Sequence, residues 1–272
     1  MEKILLFIPG YNCEKQIVRV LRQLDNEVMK YISKVIVVNN RSTDRTEEVV
    51  LSYIEKIKIP LTLLRNDDNF GLGGSHKVAF DYAQDNDFDY VIVLHGDDQG
   101  DIHDIMPLLK SREYRAFDCC LGARFMKSSK LKGYSQFRTF GNRIYNIIFS
   151  ISTGKRIYDL GSGLNMYKTG MLKSRFYEKF SDSLMFNCYM LLANSSYKFD
   201  VKFFPISWRE DDQVSNVKMF SQALRTLKIA AGYFFSLNKK GFINRDSREK
   251  KVSAYTAKQI DNRNEGTYRH KK

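Results

Sequence analysis

The sequence predicts an α/β protein: a Rossmann-like, mostly parallel central sheet flanked by helices. Three observations predict it. Residues 1–125 hold five short apolar runs rich in β-branched side chains, helical patterns separate those runs, and glycine, proline or capping residues mark the junctions. Strands joined through helices return the chain to the same end of a sheet, so they pair in parallel.

Each element has its own signal. Residues 4–8 form an apolar run that ends in Pro9-Gly10. Residues 14–29 show helical spacing through Ile17, Val20, Leu21 and Leu24. Residues 35–38 are a second strand, and Ser42-Thr43-Asp44 then caps a helix whose first turn carries Glu47 and Glu48. A third strand covers 61–64, a glycine-rich turn 69–74 and a helix 75–84. The fourth strand is 90–94, a short helix follows over 102–110, and the fifth strand, 119–123, ends at Arg124.

The second half changes character. In residues 137–151, Phe137, Phe140, Ile144, Ile147, Ile148 and Ile151 recur on one helical face, with Lys127, Lys130, Lys132, Arg138 and Arg143 nearby. A helix over 218–235 places Phe220, Leu224, Leu227, Ala231 and Phe234 on one face, with Lys218, Arg225 and Lys228 largely opposite. Faces of this kind usually cover a core. Basic, aromatic amphipathic helices also lie in a membrane interface.

Composition bounds the function. The chain has 272 residues, 43% of them hydrophobic, enough for a sizeable core. Cys13, Cys119, Cys120 and Cys188 lack metal-ligand spacing and suggest no disulfide framework, which favours a reducing compartment. The first residues, MEKILLFIPGYN, contain too short an apolar stretch for a signal peptide. No stretch reaches the roughly 20 apolar residues that span a bilayer. A cytoplasmic protein is expected, lying on the cytoplasmic face of a membrane if it meets one. The formal charge is +13, and residues 238–272 hold eleven Lys/Arg against four Asp/Glu. That segment reads as a basic, flexible tail suited to an anionic surface.

The stretch VIVLHGDDQGDI, residues 91–102, carries the chemistry. An unbroken apolar strand ends abruptly in His95-Gly96-Asp97-Asp98-Gln99. Open α/β sheets bind ligands at the carboxyl ends of their strands. Carboxylates and an amide oxygen there suit Mg²⁺ or Mn²⁺, which in turn suits a diphosphate.

Four motifs in order resemble the family 2 glycosyltransferases, inverting enzymes of the GT-A fold: Ile8-Pro9-Gly10-Tyr11-Asn12-Cys13-Glu14; Val37-Val38-Asn39-Asn40-Arg41-Ser42-Thr43-Asp44; Asn69-Phe70-Gly71-Leu72-Gly73-Gly74 with Ser75 and Lys77; and the His95–Gln99 stretch. Leu121-Gly122-Ala123-Arg124-Phe125 and Asp159-Leu160-Gly161-Ser162-Gly163-Leu164 are most similar to the dolichyl-phosphate mannosyltransferase-like, polyprenyl-phosphate-using branch. The resemblance covers roughly residues 3–235. It implies one domain over 1–237, with a nucleotide-binding half (1–125) and an acceptor half (126–237), followed by the tail.

The resemblance also implies roles. Pro9, Tyr11, Asn12, Glu14, Asn39, Asn40, Gly71, Gly74, Lys77, His95 and Gly96 would surround the nucleotide. Asp97 and Gln99 would hold the metal, with Asp98 a second choice, and Arg124 would stabilise phosphate. Ser162, Gly163 and Arg209 would face the acceptor, although the acidic run Glu210-Asp211-Asp212 separates Arg209 from Lys218. Two aspartates of the family stand here as Asn39 and Asn40, and His95 replaces the first acid of the metal motif. The implied reaction is sugar transfer, with inversion, from a nucleotide-diphosphate sugar to a lipid phosphate or a cell-surface glycan. Asp182 is either the general base for a hydroxyl acceptor or a helix cap; a phosphate acceptor needs no base.

Three rivals remain at this level. A non-catalytic sugar-nucleotide or membrane-binding protein draws on the Asn39, Asn40 and His95 departures. An oxidoreductase draws on the glycine run, which follows the third strand rather than the first. A nucleic-acid binder would rest on the tail, yet no aromatic platform accompanies it.

Overall fold

The structure is a computed structural model that describes residues 2–54, 60–211, 219–260 and 265–268. The strands are β1 (Ile4–Gly10), β2 (Lys34–Asn39), β3 (Leu61–Asn66), β4 (Tyr90–Leu94), β5 (Cys119–Ala123), β6 (Lys130–Lys132), β7 (Leu164–Lys168), β8 (Val201–Pro205), β9 (Ser207–Arg209), β10 (Ala257–Ile260) and β11 (Glu265–Tyr268). The helices are α1 (Ile17–Arg22), α2 (Thr46–Ile54), α3 (Gly71–Asp85), α4 (Met106–Ser111), α5 (Gln136–Thr153), α6 (Thr169–Leu172), α7 (Phe186–Ser196), α8 (Met219–Phe235) and α9 (Lys239–Ile243).

One nine-stranded sheet runs β11-β10-β3-β2-β1-β4-β7-β5-β8. The five strands expected from the apolar runs are present, and β1 to β4 pair in parallel. Their residues are buried almost throughout, as strands covered on both faces require. β7 enters between β4 and β5, antiparallel to both. The chain fills the β3 side of β1 first and the β4 side afterwards. The carboxyl ends of β1 and β4 therefore flank a topological switch point, where such sheets bind ligands.

Several elements differ from expectation. The first helix stops at Arg22, because Asp25 accepts the backbone N–H of Glu27 and Val28 (2.9 Å each) and starts a separate 3₁₀ turn. The glycine run is helix rather than turn, and α3 begins at Gly71 itself. A Cβ on Gly71 would lie 2.4 Å from the Asp182 carbonyl oxygen, and one on Gly73 2.3 Å from that of Ser181. The glycines thus let α3 press its first turn onto residues 181–183. That use leaves no dinucleotide fingerprint in the run.

The segment after residue 237 is not a free tail where it is described. Asn238 caps α9 by accepting from Gly241 N–H (2.7 Å). β10 adds to the β3 edge with Lys258 opposite Arg65. Tyr255 packs edge-on against Phe70 and donates its hydroxyl to Asp182 (2.6 Å). Asp182 also takes a bond from Lys77 Nζ (2.6 Å) and one from Lys250 N–H (2.7 Å). Lys77 is fully buried and donates further to the Phe180 carbonyl (2.6 Å) and the Tyr255 hydroxyl (3.0 Å). A segment docked this way is not the loose basic arm that a nucleic-acid binder would use.

The long helices turn their apolar faces outward. α5 buries Asn146, Phe149 and Ser152, while Phe137, Phe140, Ile144, Ile147 and Ile151 are exposed. α8 buries Thr226, Ala230 and Tyr233, while Leu224, Leu227, Phe234 and Phe235 are exposed. The two helices pack together, with Ser152 Oγ donating to the Ala230 carbonyl (3.5 Å). Covering the core is therefore not what the apolar stripes do, although Ile148 does pack against it. Lys218, Asp212 and the Phe220 side chain lie outside the described residues. Among the described residues no helix is long and apolar enough to cross a membrane.

The Lys77 network makes a prediction. Lys77→Met leaves the Asp182 carboxylate buried without its counter-ion and lowers the unfolding free energy by about 3–5 kcal/mol. Tyr255→Phe removes one bond to a charged acceptor and costs about 2 kcal/mol. Urea denaturation checks both; unchanged midpoints would show that the tail does not hold the domain together.

Candidate active site

The site begins where β4 stops. Gly96 N–H donates to the Pro9 carbonyl (3.0 Å), which draws the β4 exit against the β1 exit. A Cβ on Gly96 would meet that oxygen at 2.8 Å, so the approach needs glycine. Asp97 follows at the mouth of the crevice. Burial pushes its carboxyl up to about 6, aided by the Asp98 charge and opposed by N–H bonds and by Arg124. A carboxylate held at such a strand end is stabilised in its charged form by a cation.

Asp98 has a different task. Its φ is +60° and it is buried. Arg19 Nε donates to it (2.6 Å), Gln23 Nε2 does so as well (3.1 Å), and Arg209 bonds both its carboxylate and its carbonyl oxygen. With its oxygens taken by these donors, Asp98 is no metal ligand. Arg209, expected at the acceptor, instead clamps the loop after β4, and its backbone N–H also donates to the Gln99 carbonyl (3.0 Å). Gln99 turns its amide nitrogen toward Glu210 (3.5 Å). Glu210 in turn accepts Arg138 from the first turn of α5 (2.7 Å to each oxygen).

His95 is held by its N–H on the Gly163 carbonyl (2.9 Å). Burial, with the nearby Arg124 cation, lowers its imidazole to about 4, so the ring is neutral at neutral pH. Its Nε2 is buried, with no hydrogen-bond partner among the described residues, and its ring lies edge-on to that of His76. Gly163 therefore positions His95. Ser162 is buried and occupied locally, bonding the Leu164 carbonyl (3.1 Å), so neither residue presents a side chain to an acceptor.

The nucleotide-side loops are zipped together. Asn12 Oδ1 accepts Thr43 N–H (2.8 Å), Asn12 N–H donates to Ser42 Oγ (3.0 Å), and Glu14 accepts Arg45 N–H (3.0 Å). Tyr11 stays half exposed on the same rim. Asn39 and Asn40, expected to meet a base, are buried and engaged within the protein. Asn39 donates to Glu47 (2.8 Å) and accepts Ser42 N–H (3.0 Å). Asn40 donates to Asn69 (2.8 Å) and accepts Asn66 (2.9 Å) and Phe70 N–H (2.8 Å).

Three more expectations change. Lys77 and Asp182 neutralise each other inside the protein, so the first is no phosphate ligand and the second no general base. Gly71 and Gly74 serve the packing of α3, where a Cβ on Gly74 would strike Phe70 at 2.3 Å. Arg124 is paired by two bonds to the buried Asp159 (2.8 Å each) and lies over the Trp208 ring. Its cation reaches the site as a field rather than as an exposed hand. Pro9, Tyr11, Asn12, Glu14, His95, Gly96, Asp97 and Gln99 remain at the exits of β1 and β4, with the β2 exit loop beside them. Sequence reasoning missed Arg19 on α1 and Gln23, its C-cap, although their i, i+4 spacing puts both on one side.

A model of glycosyl transferase family 2 matches residues 6–176. The uncharacterised protein MJ0544 of Methanocaldococcus jannaschii is 31% identical over 183 residues, which cover 66% of this chain and 76% of that protein. Dolichyl-phosphate beta-glucosyltransferase ALG5D of Trichomonas vaginalis is 25% identical over 260 residues, covering 86% and 74%. Among solved structures, glucosyl-3-phosphoglycerate synthase from Mycobacterium tuberculosis, in complex with Mn²⁺, UDP and glucosyl-3-phosphoglycerate, superposes with a TM-score of 0.58. It is 13% identical, with 85% of this chain and 80% of that chain covered, and the likeness fixes the fold as GT-A. The matched region contains all three loops of the crevice. The chain thus belongs to glycosyl transferase family 2 and is a glycosyltransferase acting on a nucleotide sugar.

Proposed function

We propose that the chain transfers a sugar, with inversion, from a nucleotide-diphosphate sugar to a lipid-phosphate acceptor, with Mg²⁺ or Mn²⁺ held by Asp97 and Gln99. The observation that carries this reading is the half-buried Asp97 carboxylate at the switch point between β1 and β4. Among the described residues no cluster of three His, Cys, Asp or Glu side chains could hold an ion alone. A site of one carboxylate and one amide oxygen still fits, because Mg²⁺ is commonly bound by one or two carboxylates plus substrate phosphates. When bound, such an ion neutralises charge on a departing diphosphate.

The protein's own groups do the rest. The rim of Pro9, Tyr11, Asn12 and Glu14 lines the crevice for the nucleotide. Arg124, fixed by Asp159, adds positive potential where the leaving group gathers charge. The acceptor oxygen attacks the anomeric carbon opposite the bond to the diphosphate. That bond breaks, and its electron pair leaves with the nucleoside diphosphate.

The locked state of Asp182 favours a phosphate acceptor over a hydroxyl. A phosphate oxygen is already anionic and needs no proton removed. The named activity of the Trichomonas relative, a dolichyl-phosphate glucosyltransferase, supports the same class.

Asp97→Asn is expected to keep the fold and to lose divalent-ion-dependent release of nucleoside diphosphate by at least about 100-fold, the scale of removing a main electrostatic stabiliser. Undiminished release from this variant would refute the metal assignment. A thermal-shift series with UDP-, GDP-, CDP- and dTDP-sugars plus Mn²⁺ identifies the donor. A saturating donor at about 100 times its dissociation constant stabilises the protein by roughly 2.7 kcal/mol. No shift with any donor would argue against the reading as a whole.

A further inference from the structure

The outward apolar ridge of α5 and α8 has no role in the donor chemistry and calls for its own partner. Phe137 is 80% exposed, Ile147 60%, Ile151 64% and Phe235 78%, with Leu224, Leu227 and Phe234 continuing the surface. A soluble monomer seldom presents so many large apolar side chains in one place. Along the two helical stretches themselves the charges are of one sign, with Glu210 and Asp211 at one end, paired to Arg138 and Lys132. No Asp or Glu occurs between residues 126 and 158, or between 219 and 245. Arg143, Lys155, Arg156, Arg225, Lys228 and Lys240 are all exposed in those stretches.

We propose that the α5–α8 ridge docks on the interface of an anionic lipid bilayer, with its aromatic and aliphatic side chains in the headgroup–acyl boundary. Basic residues beside an apolar face are the two signals such docking combines. A second copy of the chain fits less well. A two-fold interface sets the same patch against itself, which here brings cation against cation. Neither helix crosses the bilayer. The ridge starts beside the loop after β4, since Arg138 of α5 binds Glu210, which faces Gln99. A docked molecule therefore holds its strand-end crevice close to the lipid surface.

The test is co-sedimentation of the full chain with phosphatidylcholine vesicles, with and without phosphatidylglycerol. Binding to the anionic vesicles alone, weakening as salt rises, is the expected result. The double variant Ile147→Glu with Phe235→Glu abolishes binding. Arg225→Gln and Lys228→Gln each lower partitioning about fivefold. These side chains are exposed, so thermal unfolding stays unchanged and separates lost docking from lost folding. No binding at low salt, or equal binding by the glutamate variant, overturns the proposal. So does a concentration-dependent dimer in sedimentation equilibrium that the glutamate variant dissolves. The inference is independent of the donor reading. Nucleoside-diphosphate release from a soluble donor persists in the glutamate variant if both hold, and is absent from wild type if only the donor reading fails.

Discussion

The buried pair of Lys77 and Asp182 is the constraint on which much of this architecture depends. It joins three parts of the chain that are far apart in sequence: α3, the loop before α7, and the carboxy-terminal segment. A lone lysine at that depth would lose its charge, and burial does pull its ammonium down. Asp182, Tyr255 and the Phe180 carbonyl keep it satisfied. The glycines of α3 exist for the same contact, since side chains there would push the partners apart. Residues that a motif reading assigns to the nucleotide are thus structural here.

A second clamp sets the loop after β4. Asp98 stands between Arg19 on α1 and Arg209 on β9, and the pairing fixes the turn that presents Asp97 and Gln99. The adjacent carboxylates differ in surroundings: Asp98 is buried and neutralised by arginines, while Asp97 is only half buried. An exposed ion pair contributes little, but the buried carboxylate here is only 3% exposed, so removing both arginines would leave uncompensated charge inside the protein. The acidic run after Arg209 belongs to this framework, with Glu210 joining α5 to Gln99.

The fold was legible wherever local pattern decides the outcome. Apolar β-branched runs located β1 to β5, and the position of the acidic strand end pointed to the crevice. What the pattern could not show was long-range pairing. Arg209 and Asp98 meet across 111 positions, and Lys77 and Asp182 across 105. No local rule distinguishes such an aspartate from a ligand. Likewise, helical periodicity revealed the stripes on α5 and α8 but not which way they face. The stripe and the buried side differ because Asn146, Ser152, Thr226 and Ala230, small or polar, take buried positions, and Ser152 meets Ala230 between the two helices. The tail was misjudged for a related reason: four residues suffice for β10, and their partner strand supplies the order.

That late strand has a bearing on how the molecule is made. Thr256 bonds Asp67, 189 positions earlier, and the pairing of β10 with β3 has the same long span. Closing so large a loop is slow, and β3 is synthesised long before its neighbour. In the interval the nascent chain presents an open row of amides along Leu61–Asn66, a template for any other extended segment. Chaperone demand and misassembly during expression should therefore track the arrival of the final strand rather than the formation of the catalytic half.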